Sequence, residues 1–337
     1  MADGGGLTSG GIGASSTDAS ASPAVLYEVT AFTEFPRWDV GIQQTIGGRR
    51  TQEDRFAVCP HLHEESAGFF GVWDGTVDDF AADQIRFLVL PAVLRSPHWA
   101  AFQASKAEAA DGATPTQDML LTLEQCMREA FIAADDELVQ MCRERSNHYS
   151  SCTGVVVLIV AGVLTVAHLG DSRAALGSGS AEGGALRAEF LTVDHKPDQP
   201  PERQRIEQSG GSVEYLHDVF NKPFIRGGDF TERKARGEKP MQLQYSRAFG
   251  GKDLKPYGLS NIPDVKQVMM SPQHRVLVIA SDGLWDVCSE ATAVSLAMEA
   301  RQRGQDACHA LIQHALGEHA RLGGTADNVT VVIVFFK

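Results

Sequence analysis

Four acidic sites in this 337-residue chain share one local grammar. Asp74 closes the apolar run Phe69–Trp73 and is followed by Gly75, and Asp282 ends the run Val276–Ala280 and is followed by Gly283. Asp327 stands just before the last apolar run, and Asp54 follows Glu53 at the start of another. A carboxylate at a strand end projects from a rigid edge, and a following glycine lets the backbone approach a ligand closely. Several such carboxylates meeting at one sheet end would make an oxygen-rich pocket for hard cations such as Mg2+ or Mn2+. A single Asp-Gly pair more often caps a turn. Spacing along the chain does not decide whether the four sites meet.

The elements that must position them read as strands and helices in separate groups. Gly68–Trp73, Val155–Val160, Val163–Ala167, Val276–Ala280 and Val329–Phe336 are short apolar runs rich in β-formers, with a tight turn predicted at Ala161-Gly162. From Asp118 to Cys142, apolar residues recur every three or four positions, which predicts a long amphipathic helix. Further helices are expected near 80–95, 200–209, 289–303 and 305–321. Strands joined by short turns, with helices elsewhere, favour antiparallel sheets covered by helices over a parallel βαβ sheet. Neither of the usual glycine-rich nucleotide cradles follows a strand.

Composition sets outer limits. Residues 1–24 are dominated by Gly, Ser, Ala and Thr and predict a flexible tail, leaving 25–337 as a single domain. The net charge of −13 argues against nucleic-acid and anionic-membrane partners. The chain has no apolar run long enough to span a bilayer and no signal-like start, so a cytoplasmic or nuclear location is expected. The six cysteines never form a C-x-x-C pair and sit in apolar or helical stretches, as buried structural thiols do.

Seven segments, in order between Gly41 and Phe336, resemble the protein phosphatase 2C family of metal-dependent serine/threonine phosphatases. They are Gly47–Asp54 (GGRRTQED), Phe69–Gly75 (FFGVWDG), Ser151–Gly154 (SCTG), Leu169–Ala174 (LGDSRA), Ser246–Gly250 (SRAFG), Ala280–Val287 (ASDGLWDV) and Ala326–Val331 (ADNVTV). The resemblance implies an α+β fold, a four-layer αββα sandwich of two antiparallel β-sheets packed face to face with helices on both outer faces. It implies two Mg2+ or Mn2+ ions at one end of the sandwich. Asp74 would bridge them, the Gly75 carbonyl would bind one, Asp282 and Asp327 would complete the other, and Glu53 and Asp54 would hold metal-bound waters. Arg49 matches the arginine that grips substrate phosphate, while Asp171 and Asp286 match a third, weaker metal site. The implied reaction is hydrolysis of phosphoserine and phosphothreonine in proteins by direct attack of a hydroxide bridging the metals, with a monomer as the family default. Two divalent cations would reverse the repulsion between a carboxylate cluster and a dianionic phosphomonoester.

One departure from the family pattern matters. Family members usually continue Asp-Gly with His-Gly-Gly, and that His is the general acid; this chain has Thr76-Val77-Asp78. A hydroxyl is far too weak an acid to replace it, and general acid help is worth roughly 10²–10⁴ in rate. A slowed phosphatase is expected, with metal-bound water, Asp78 or Asp79 as partial substitutes. The alternative is a catalytically weak or silent relative that binds phosphoproteins or scaffolds a kinase. A smaller departure is Gly251, where the family often has Asp.

Other motifs read more plainly. His61 and His63 fall in a loop after Pro60, and His309, His314 and His319 spiral around their helix instead of sharing a face. Trp73 and Trp285 read as packing residues. The segment Asn221–Pro240 carries Lys222, Arg226, Arg233, Lys234, Arg236 and Lys239 against Asp229, Glu232 and Glu238. It is either a solvated loop or, by the resemblance, a mobile flap that helps choose substrates.

Overall fold

A computed structural model describes residues 33–34, 37–62, 67–110, 112–179, 186–216, 222–237 and 241–337. The expected tail, residues 1–24, His63, and Glu238 and Lys239 of the basic segment lie outside the described residues. Two antiparallel sheets stack face to face. One has six strands in the order Thr33–Glu34, Trp38–Thr45, Val329–Phe336, His274–Ala280, Arg173–Ser178 and Arg187–Phe190. The other has five, in the order Asp264–Met269, Val163–Leu169, Gly154–Val160, Gly68–Trp73 and Arg55–Cys59.

Strand alternation makes the layers. Val155, Val157 and Ile159 point between the sheets, where they meet Val40, Leu277, Ile279, Val332 and Val334. Their neighbours Val156, Leu158 and Val160 point the other way, into a core shared with the helices Phe80–Arg95, Pro97–Glu108 and Gln117–Glu144. On the opposite outer face, Val276, Val278, Val331 and Ile333 pack under Glu290–Gln302 and Ala307–Arg321. Central strands are thus buried on both faces, which is why they read as unbroken apolar runs instead of alternating ones. The expected four-layer αββα sandwich is the observed architecture.

Local signals account for most boundaries. Thr116 caps the long helix by accepting from the Met119 N–H at 3.3 Å. The turn at Ala161-Gly162 has φ of 50° and 74°, the doubly left-handed geometry of a two-residue hairpin. All six cysteines are free and buried, as expected. The helix Pro97–Glu108 was not expected, yet Ser96 accepts from the His98 N–H and Pro97 occupies the first turn, a recognisable start signal. Trp38–Thr45 and Asp264–Met269 also went unforeseen, the latter because its outer face is polar and half-exposed.

Candidate active site

Register brings the carboxylates together. Ala280 lies between Arg173 on one neighbouring strand and Val331 on the other. Asp282, Asp171 and Asp327 therefore leave the six-stranded sheet at the same end. Val329 pairs with Thr45, which adds the turn containing Arg49 to that end. In the other sheet Trp73 pairs with Arg55, so Asp74 and Asp54 exit side by side. The two ends enclose a cleft of about 500 Å³ whose lining includes Arg49, Glu53, Asp74, Gly75, Thr76, Asp171, Asp282 and Asp327.

The backbone here is packed too closely for larger residues. Gly47 has φ +61°, and a Cβ on it would sit 2.2 Å from the Asp327 carbonyl oxygen. A Cβ on Gly75 would meet the Glu53 carbonyl at 2.6 Å. Asn328, missed in the sequence despite lying inside a quoted motif, ties the two loops. Its amide donates to the carbonyls of Ile46 and Thr51, and its Oδ1 accepts from the Glu53 N–H at 2.7 Å.

Electrostatics are unfavourable for carboxylates alone. Burial pushes Asp74 well above the usual carboxylate range, and Asp282, Asp54, Asp327 and Asp171 push it further. Asp282 is raised in the same direction by burial and then by Asp171, Asp286 and Asp327. Asp54 is pushed up to about 6, chiefly by burial, although Ser281 donates to its Oδ2 at 2.7 Å. Among the described residues its buried Oδ1 has no hydrogen bond of normal geometry, although the Thr330 hydroxyl is close enough to lower the pKa. A cluster of hard oxygens that repel one another, one of them a buried acceptor without a normal hydrogen bond, suits divalent cations.

The remaining predicted residues ring this cluster. Arg49 is 57% exposed and reaches Asp327 Oδ2 at 2.5 Å. Glu53 accepts from the Thr51 hydroxyl at 2.7 Å. Asp171 is buried against the Lys196 ammonium, and Asp286 pairs with Lys222 at 3.2 Å. Lys196 was not identified from the sequence. Asp78 and Asp79 do not serve the cleft. Asp78 accepts from the Ser150 hydroxyl, the Phe80 N–H and the Asn147 amide, while Asp79 holds Arg55 at 2.5 Å. Both carboxylates are occupied as structural acceptors, which removes the expectation that either replaces the missing acid.

Two histidine features behave as braces. His168, His195 and Asp264 place potential ligand atoms within 4.8 Å of one another. However, His195 Nδ1 accepts from the Gly170 N–H at 3.1 Å, so its proton sits on Nε2, facing Asp264 at 3.3 Å. His168 Nε2 donates to the Val193 carbonyl, and burial holds that ring neutral, down to about 4. The trio supports the Gly170–Asp171 turn. His319 likewise donates to the Gly283 carbonyl at 2.8 Å. In the basic segment, Arg226 bonds Gln242 and covers Phe230, Arg233 pairs with Asp229, and Lys222 reaches Asp286 of the carboxylate cluster.

Comparison with known proteins identifies similar chains. A family model described as Protein phosphatase 2C matches residues 38–329. The chain is similar to "Probable protein phosphatase 2C 2" of Arabidopsis thaliana, 29% identical over 299 residues, covering 86% of this chain and 64% of that one. It is also similar to "Probable protein phosphatase 2C 48" of Oryza sativa subsp. japonica, 30% identical over 302 residues, covering 86% of this chain and 81% of that one. Among solved structures, "Crystal structure of serine-threonine phosphatase 2C from Toxoplasma gondii" superposes with a TM-score of 0.86 at 48% identity, covering 94% of this chain and 100% of that one.

Proposed function

The chain belongs to the protein phosphatase 2C family of serine/threonine protein phosphatases, and from that premise we propose that it hydrolyses phosphoserine and phosphothreonine in proteins with two Mg2+ or Mn2+ ions in the cleft. The observation that carries this reading is the convergence of Asp54, Asp74, Asp171, Asp282 and Asp327 between adjoining ends of the two sheets, where burial and mutual repulsion raise the pKa of three of them. Asp74, Asp282, Asp327 and the Gly75 carbonyl would hold the ions, Glu53 and Asp54 would hold their waters, and Asp171 and Asp286 would offer a weaker third position. When bound, the ions supply the positive charge that admits a phosphate dianion and a water acidic enough to attack phosphorus.

The chain's own residues do the rest. Arg49 makes an exposed ion pair with Asp327, the kind that is worth little and is readily exchanged. Its planar fork can turn to the phosphate and donate two parallel hydrogen bonds. Phe224 and Gln242, from the strands that carry the basic segment, line the same cleft and give that segment a part in substrate choice. Residues 25–337 work as one catalytic domain.

The test is phosphate release from a phosphothreonine peptide with Mn2+, with Mg2+ and with EDTA, beside an Asp282→Asn control. Metal-dependent release that Asp282→Asn abolishes is expected. Tight metal binding without release would turn the reading toward a phosphoprotein-binding relative. Because Thr76 occupies the general-acid position, Thr76→His should raise turnover of the phosphothreonine peptide more than that of an aryl phosphate, by up to about 10². Equal gains on both substrates would sink that explanation.

A further inference from the structure

Thr76 is not an isolated substitution. The short strand Gly75–Thr76 pairs with Ser151–Cys152, placing Thr76 opposite Ser151. Tyr245, 5% exposed, closes over this pair. Its hydroxyl donates to Thr76 Oγ1 at 2.7 Å and lies 3.3 Å from Ser151 Oγ. Thr76 and Tyr245 both line the cleft beside Asp74 and Gly75.

The proton count on these hydroxyls is restrictive. A tyrosine hydroxyl has one proton, and here it goes to Thr76. Ser151 can then only donate to Tyr245 across their contact. Thr76 Oγ1, already accepting, must aim its own proton elsewhere, and among the described residues no hydrogen bond from Thr76 Oγ1 to a protein acceptor is found. The cleft is what remains. Burial raises the pKa of the Tyr245 phenol, which favours the protonated, donating form. A hydroxyl that accepts one hydrogen bond also donates the next more strongly.

We propose that Ser151, Tyr245 and Thr76 form a hydroxyl chain whose last member, Thr76, donates a hydrogen bond to the leaving oxygen of the phosphorylated side chain, with Tyr245 as its positioning residue. This inference rests on the phosphatase reading above. The donor stabilises charge that develops on the leaving oxygen as the P–O bond lengthens, with no proton transferred from Thr76. Its value therefore grows with the basicity of the leaving group. A serine or threonine alkoxide needs it; a nitrophenolate scarcely does.

The experiment compares kcat on a phosphothreonine peptide and on p-nitrophenyl phosphate, with Mn2+ present, for wild type, Tyr245→Phe, Thr76→Val and Thr76→Ser. Tyr245→Phe should cost about 10-fold more on the peptide than on the aryl ester, and Thr76→Val about 10²-fold more, as for loss of one preorganised donor. Thr76→Ser, which keeps the hydroxyl, should keep the wild-type ratio between the two substrates. Equal losses on both substrates, or none, would overturn the hydroxyl chain while leaving the phosphatase reading intact. Hydrolysis of neither substrate by wild type would overturn both.

Discussion

Two groups of buried carboxylates in this molecule have opposite electrostatic character. At the cleft, Asp54, Asp74 and Asp282 are raised by burial and by one another. On the helix Pro200–Gln208, Glu202 is 1% exposed, as Asp54 is, yet its pKa is lowered to about 2. Burial opposes that lowering, but Glu202 accepts from Arg205 at 2.7 Å, from Arg247 at 2.7 Å and from the Ser246 hydroxyl. Arg247 continues to Asp264 at 2.8 Å, which is depressed as well. The same chemical group is complete in itself at one site and incomplete at the other. The cleft has protein cations at its edges, Arg49 on Asp327, Lys196 on Asp171 and Lys222 on Asp286, yet Asp54, Asp74 and Asp282 stay raised, which leaves them to a ligand.

The largest effect should separate the two sites at once. Asp74→Asn is expected to reduce phosphopeptide turnover below about 1% of wild type, while raising the melting temperature in EDTA because one member of a repelling set is gone. Calorimetry in EDTA beside the turnover assay checks both halves. A lower melting temperature in EDTA would mean that the cluster is self-satisfied and the contrast is false.

Glu202→Gln should do the reverse, costing about 2–3 kcal/mol of stability by urea denaturation, since Arg205 and Arg247 lose their counter-charge. The pH dependence has opposite signs too. Glu202 binds its proton more weakly folded than unfolded, so its contribution is full above about 4.5 and is lost as pH falls toward 2. Asp54 binds its proton more tightly folded, so in EDTA its contribution is lost as pH rises from 3.8 to about 6. Urea titrations across this range should therefore show an acid limb that Glu202→Gln removes and a descending limb that Asp54→Asn removes.

This contrast also marks what could be read in advance. The αββα layering was legible because strands such as Val155–Val160 are apolar at every position and the helix Gln117–Glu144 keeps its period for seven turns' worth of sequence. The candidate metal carboxylates were legible from their strand-end positions, but that they meet was legible only through motif resemblance. Their convergence depends on Ala280 pairing with Arg173 and with Val331, contacts whose partners lie 107 and 51 residues apart in the chain. Asn328 and Lys196 went unassigned because a buried amide and a lysine look ordinary in sequence. Tyr245 sits one residue before the Ser246–Gly250 motif, and nothing local to it announces a partner at Thr76.

The smallest effect concerns backbone strain and tightens the same comparison. Val77, on the cleft rim and 58% exposed, has φ +82°, a conformation that is an outlier for a β-branched residue. Near Glu202 the chain also turns left-handed, at φ +97°, but there it uses Gly258, whose Cβ would lie 2.6 Å from the Ile206 Cα. The node places glycine at this left-handed position, and the cleft does so at Gly47, whereas at Val77 the cleft carries a β-branched residue with exposed apolar surface in a strained turn. Val77→Gly should relieve about 1–2 kcal/mol of steric cost and return part of it as backbone entropy, for a net gain of about 0.5–1 kcal/mol in urea. The reciprocal change, Gly258→Val, should destabilise by several times that amount, because it adds a clash with the Ile206 backbone to the same strain. If Val77→Gly proved neutral or destabilising, the valine would be held there by contacts that offset its strain, and strain would no longer distinguish the cleft from the node.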